Sequence, residues 1–227
     1  MPVPPRLSAP AVSPRRVFYL HGFASSPTST KVGYFRERLR EDGIDVECPD
    51  FNQPDFSSLT MTRMLEQLES GLGPPGGAPA TLVGSSLGGT VAVLAAERFG
   101  ARIDRLVLLA PAVMFAKPGH HLLPPERIDE WRRRGSMSFF HYADHAERDL
   151  DFAFYDDSLR YDAFHAAFRQ PALIFQGLRD ASVDYRTVEA FAKPRPNITL
   201  SLLDDDHQLI ASLPRIWSDV RDFLGLD

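Results

Sequence analysis

"LVGSSLGGT", residues 82–90, frames one serine with glycines between two apolar runs. Gly84, Ser86 and Gly88 match G-x-S-x-G, the spacing of a sharp strand-to-helix turn that lifts a serine hydroxyl clear of a sheet. In such a turn the serine backbone is strained, and side chains two residues to either side would collide, so glycine is needed at both places. The helix that follows aims its N-terminal N–H groups at negative charge developing beside the serine. The small residues Gly89, Ala92, Ala95 and Ala96 would let that helix pack close to the strands.

Working outward, "ATLVGS" (80–85) reads as the strand before the turn and "GGTVAVLAAERFG" (88–100) as the helix after it. Further strands are expected at "VFYLHGF" (17–23), "IDVECPDF" (44–51), "RLVLLAPA" (105–112), "PALIFQG" (171–177) and "NITLSLLDD" (197–205). Helical spacing of apolar residues marks 31–43, the Met61 to Leu72 segment, the Val188–Ala192 region and a closing helix from Leu213 to Leu224. Alternating strands and helices predict an α/β fold of about six mainly parallel strands with helices on both faces. Ligands bind beyond the carboxyl ends of such strands, where Ser86 falls.

Residues 111–170 break the alternation. "PPERIDEWRRRG" reads as a helix, "SFFHYA" and "LDFAFY" as a hairpin around "DHAERD", and "SLRYDAFHAAF" as a returning helix. The chain therefore divides into an N-terminal tail (1–14), a core formed by 15–110 and 171–227, and a cap or lid insertion (111–170).

Composition sets bounds on partners. The chain has 227 residues, 44% hydrophobic and 24% charged, as expected of a globular protein. A net charge of −5 argues against nucleic acid as a partner. The proline-rich start, "MPVPPRLSAPAVSPRR", has no signal-peptide pattern, and the densest apolar run, "LVLLAPAVMFA", is too short to span a bilayer. One cysteine, Cys48, cannot form an internal disulfide and reads as a small apolar residue. A soluble cytoplasmic protein without a membrane partner is expected; oligomeric state is not legible. His120-His121 lacks further ligands at useful spacing, so no metal site is expected.

A nucleophilic serine needs an acid and a base, in this turn type in the order Ser, Asp or Glu, His. Asp180 follows the strand ending at Gly177, and His207 follows the last strand in "DDDHQL". Neutral His207 would take the Ser86 proton and Asp180 would fix its tautomer. Asp184 is the alternative acid. Leu87, directly after the serine, and Phe23, in the loop after the first strand, would donate backbone N–H groups to an oxyanion hole. His21 reads as ordering that loop.

These residues resemble the α/β-hydrolase superfamily. "YLHGFASSPTSTK", "GSSLGG", "GLRDASV" and the closing "HQL…VRDFLGL" look like compact bacterial esterases and thioesterases. The resemblance implies a serine hydrolase of small-molecule carboxylic esters or thioesters working through an acyl-enzyme without metal or organic cofactor. It carries Ser86, Asp180 and His207 as triad and Phe23 with Leu87 as oxyanion donors. Cleavage of a carbon–carbon or amide bond by the same triad, or a non-catalytic binding role, are the alternatives.

The insertion is rich in aromatic residues. Phe115, Trp131, Phe139, Tyr142 and Phe154 are candidate linings of an apolar acyl pocket; the same residues could form the insertion's own core. Arg127 and Arg132 to Arg134 are either a solvated helix face or a patch for an anionic leaving group.

Overall fold

A computed structural model describes residues 16–117, 119–120 and 123–226. The expected N-terminal tail and His121 lie outside the described residues.

Six parallel strands form the sheet: β1 (Arg16–Leu20), β2 (Val46–Glu47), β3 (Ala80–Ser85), β4 (Ile103–Leu109), β7 (Ala172–Gly177) and β8 (Ile198–Leu203), in the order β2-β1-β3-β4-β7-β8. Helices α1 (Thr30–Glu41), α2 (Met61–Leu72), α3 (Leu87–Phe99), α6 (Tyr185–Ala192) and α7 (Leu213–Leu224) connect and close it. Successive strand residues point to opposite faces and feed two cores. Val17, Tyr19, Val83, Val107, Leu109 and Phe175 meet α1 and α7 on one side. Phe18, Leu20, Leu82, Leu106, Leu108 and Ile174 meet α2, α3 and α6 on the other.

Registers bring the strand ends into line. Leu20 pairs with Gly84, Ser85 with Leu109, Leu109 with Phe175, and Gly177 with Leu203. The loops after β1, β3, β7 and β8 therefore emerge along one edge. The strand order reverses between β1 and β3, and such a switch point opens a crevice at that edge. Strand β2 is shorter than its sequence suggests: only Val46 and Glu47 pair, both with β1, and the run leaves the sheet before Pro49.

Residues between β4 and β7 fold as α4 (Pro125–Arg134), an antiparallel hairpin of β5 (Ser136–His141) and β6 (Ala146–Asp151), and α5 (Ala153–Ser158). Two sequence expectations need correction here. The aromatic run "FAFY" does not extend the hairpin. It enters α5, because the Phe152 N–H turns back to the Gly135 carbonyl at 2.7 Å and Tyr155 and Asp156 N–H groups bond the Phe152 carbonyl. "SLRYDAFHAAF" is not a helix beyond Ser158. There the Asp162 carboxylate accepts the His165 N–H at 3.2 Å, a side-chain turn that competes with helical bonding. Helix α5 is tied to α2 through Asp157, which accepts the Thr62 N–H at 2.8 Å and its hydroxyl at 2.7 Å. No helix among the described residues is long and apolar enough to cross a membrane.

Candidate active site

Ser86 sits between β3 and α3 with φ 53° and ψ −116°, a conformation that costs a non-glycine residue about 1–3 kcal/mol. The surroundings impose it. The Ser86 N–H donates to Leu109 O at 2.9 Å, and its carbonyl accepts the Gly89 and Ala112 N–H groups at 2.9 and 3.1 Å. A Cβ on Gly84 would lie 2.5 Å from the Gly88 carbonyl oxygen, and one on Gly88 would overlap the Leu20 carbonyl. The glycines flanking the serine thus permit α3 to start against both β3 and the end of β1.

His207, in the loop after β8, places Nε2 3.0 Å from Ser86 Oγ and Nδ1 2.8 Å from Asp180 Oδ2. A carboxylate at Nδ1 keeps the proton on that nitrogen, so Nε2 of the neutral ring accepts from the serine hydroxyl. The Asp180 side chain is fully enclosed, and that of His207 is 20% exposed.

Asp180 is fixed by four donors. Oδ1 accepts the Ser182 and Val183 N–H groups, each at 2.8 Å, while Oδ2 accepts the Gln176 amide at 2.9 Å besides His207. Burial pushes this carboxyl upward, but the bonds from His207, Val183 and Gln176 outweigh it and hold Asp180 below its ordinary value. The loops carrying Asp180 and His207 are joined by Leu178 N–H to Leu203 O (2.8 Å) and Arg179 N–H to Asp205 O (3.0 Å). The Asp205 carboxylate braces the second loop through the Asp206 and Ser212 N–H groups, at 2.8 and 2.9 Å.

Ser86, Asp180 and His207 are therefore brought together. Asp184 is engaged elsewhere: its carboxylate accepts the Arg186 N–H at 2.9 Å and caps α6. Leu87 opens α3, and Phe23 lies in the turn after β1. His21, buried behind that turn, places Nδ1 2.9 Å from Gly22 O and accepts the Phe51 N–H on Nε2 at 3.1 Å.

Trp131 and Phe154 are sealed inside the insertion, and the Trp131 indole N–H donates to Leu150 O at 2.8 Å. Phe139 packs on Trp131 and Phe115 on Phe154, both partly buried. Tyr142 is 66% exposed, its ring against the exposed Phe140. Phe139 and Phe154 also pack on Phe23 of the turn after β1. Arg132 and Arg134 pair with Asp129 and Glu130 along α4, and Arg127 with Glu130.

Two residues near the site escape sequence reasoning. Gln176 was visible only as a polar residue in an apolar strand. Lys31, in the first turn of α1, has its amine pushed down to about 8 by burial, opposed by Asp180, Asp206 and Asp205. Cys48 is half-buried, and burial pushes its thiol up to about 12. Among the described residues no three His, Cys, Asp or Glu side chains are grouped to hold a metal ion.

Comparison with known proteins agrees with this architecture. Mouse alpha/beta hydrolase domain-containing protein 10 is 20% identical, with a TM-score of 0.75 over 92% of this chain and 89% of its own. Est1E from Butyrivibrio proteoclasticus, solved with ferulic acid bound, is 20% identical, with a TM-score of 0.77 over 92% of this chain and 88% of its own. The Paleococcus ferrophilus monoacylglycerol lipase is 16% identical, with a TM-score of 0.67 over 90% of this chain and 96% of its own. No curated protein sequence matches. The sequence model of the Uncharacterised protein family (UPF0227) matches residues 16–224. The chain has the α/β-hydrolase fold and belongs to that family.

Proposed function

We propose that the protein is a serine hydrolase that cleaves carboxylic esters or thioesters of small molecules through an acyl-enzyme. The observation that carries this reading is the continuous relay Ser86 Oγ–His207 Nε2 (3.0 Å) and His207 Nδ1–Asp180 Oδ2 (2.8 Å) beside a strained turn.

Ser86 Oγ attacks the carbonyl carbon while its proton passes to His207 Nε2. Asp180, held ionised by its donors, stabilises the imidazolium. Charge on the former carbonyl oxygen is met by the N–H groups of Leu87 and Phe23. Collapse breaks the bond to the leaving oxygen or sulfur, and Nε2 returns the proton to it. Water then enters by the same route: Nε2 takes a proton, the hydroxide adds to the acyl carbon, and Ser86 leaves reprotonated. The chemistry needs no metal or organic cofactor. A monoacylglycerol lipase among the structures of like fold agrees with ester cleavage. Residues 111–170 serve in this reading as the cap. A cytoplasmic setting without nucleic-acid or membrane partners fits the −5 charge and the single cysteine.

The test compares wild type with Ser86→Ala on p-nitrophenyl esters and acyl-CoA thioesters of matched chain length. Loss of the nucleophile lowers kcat by about 10⁴-fold or more. Equal turnover by folded Ser86→Ala refutes the reading, and the ratio of the two substrate series separates ester from thioester preference.

A further inference from the structure

The sheet ladder supports β1 only as far as Leu20, where it pairs with Gly84. Two contacts within the turn that follows meet at Gly22 O, His21 Nδ1 at 2.9 Å and the Ser25 N–H at a long 3.3 Å, and Ala24 stands at φ 51°, unfavourable for a residue with a side chain. The Gly22 carbonyl shares its peptide plane with the Phe23 N–H, so these contacts tether that plane beside the end of β1.

The insertion also holds this turn. The Phe23 ring lies 5.5 Å from Phe139 at 87° and 5.5 Å from Phe154 at 27°, with Phe56 5.7 Å away. Phe139 is backed in turn by Trp131 at 5.1 Å. The backbone is held as well. The Tyr142 N–H donates to Ala24 O at 2.9 Å, which occupies the carbonyl of the strained residue. Asn52 donates to Ser25 O at 2.8 Å, and its Oδ1 faces His141 Nε2 at 3.2 Å. His141 is 2% exposed, and its Nδ1 accepts the Asp144 N–H at 3.3 Å. Asp144 Oδ2 lies 3.3 Å from the same nitrogen, and burial outweighs its pull and pushes His141 below its ordinary value.

We infer that the β5–β6 hairpin and α5 position the oxyanion donor loop: Phe139 of β5 and Phe154 of α5 by ring contact, and Tyr142 and the His141–Asn52 pair through the backbone, keep the Phe23 N–H aimed at the substrate carbonyl oxygen. The inference rests on the serine-hydrolase reading and gives the segment between β4 and β7 a positioning role beside that of a cap. These side chains reach no reacting atom. They are positioning residues, and their removal affects the transition state more than substrate binding.

The experiment uses the full chain with Phe139→Leu, Phe139→Tyr and Asn52→Ala, and Phe191→Leu as a control in the core beneath α6. Each is followed by circular-dichroism melting, kcat and KM for p-nitrophenyl acetate, and inhibition by phenylboronic acid, whose serine adduct directs an oxygen at the same N–H groups. Phe139→Leu is expected to lower kcat and weaken boronate inhibition by about 10- to 100-fold, because a donor shifted by roughly 1 Å loses that much. KM should stay within about two-fold, Phe139→Tyr should recover most of the loss, and Phe191→Leu should melt earlier with unchanged kcat. Asn52→Ala is expected to lower kcat by about ten-fold, and it decides the matter should Phe139→Leu fail to fold. Folded Phe139→Leu or Asn52→Ala with wild-type kcat and boronate affinity overturns the inference, as does an equal kcat loss in Phe191→Leu. Wild type that neither turns over ester nor binds boronate overturns the serine-hydrolase reading itself.

Discussion

Replacing Gln176 by Met removes one of the four donors on the Asp180 carboxylate while nearly preserving side-chain volume. The amide orientation is dictated by chemistry, since the reverse would aim oxygen at a carboxylate. The lost charge-assisted bond is worth about 1.5–3 kcal/mol and the bond to Val183 O at 3.1 Å about 1 kcal/mol. Against this, Gln176 Oε1 is buried without a partner among the described residues, and removing it returns about 1–3 kcal/mol. Net destabilisation is therefore small, roughly 1–2 kcal/mol, or a melting shift of about 2–8 °C for a chain of this size. The effect on chemistry is larger. Asp180 Oδ2 would be left with His207 alone, freer to turn away and easier to protonate. If the charge-assisted bond is felt in the transition state, kcat falls by about 10- to 100-fold with KM unchanged, and activity is lost at less acidic pH than in wild type. Steady-state kinetics across pH, paired with thermal melts, test this. Wild-type kcat in Gln176→Met, or a loss confined to KM, refutes the assignment of Gln176 to Asp180.

Gly88→Ala drives a methyl group into the Leu20 carbonyl, so α3 must move; a stability loss of about 1–3 kcal/mol and a kcat loss of about 100-fold are expected from melts and kinetics. Asp180 and Asp205 both lie below their ordinary value of 3.8 in the folded chain, Asp205 because bonds from Ser212 and Asp206 outweigh burial. The unfolded chain then takes up protons first on acidification, so their stabilisation is present above pH 3.8 and lost as pH falls below it. Urea midpoints should drop in that range, and Asp205→Asn, less stable at neutral pH, should show a shallower drop.

The site was legible because chemistry demanded it in sequence. Gly84 and Gly88 report the close approach of α3 to β1 and β3, and the order Ser86, Asp180, His207 follows from strand ends that share one edge. Gln176 was not legible as a partner, since a bond from a strand residue to a loop four positions on exists only once the loop folds back. The contacts of the aromatic residues were not legible for a related reason. A ring lining a pocket and a ring stacked on Phe23 have the same sequence pattern, and only the third dimension separates them. "FAFY" and "SLRYDAFHAAF" show local propensity overruled by the Gly135 carbonyl and the Asp162 carboxylate.

Covalent labelling with a fluorophosphonate, located by mass spectrometry, tests the central claim most directly. In wild type the probe should lose fluoride as Ser86 Oγ bonds its phosphorus, leaving the phosphonyl group on Ser86, with labelling slowed by at least about 100-fold in folded His207→Ala. Folded wild type that stays unlabelled, or labels as fast without His207, would show that Ser86 is not activated by the ring beside it.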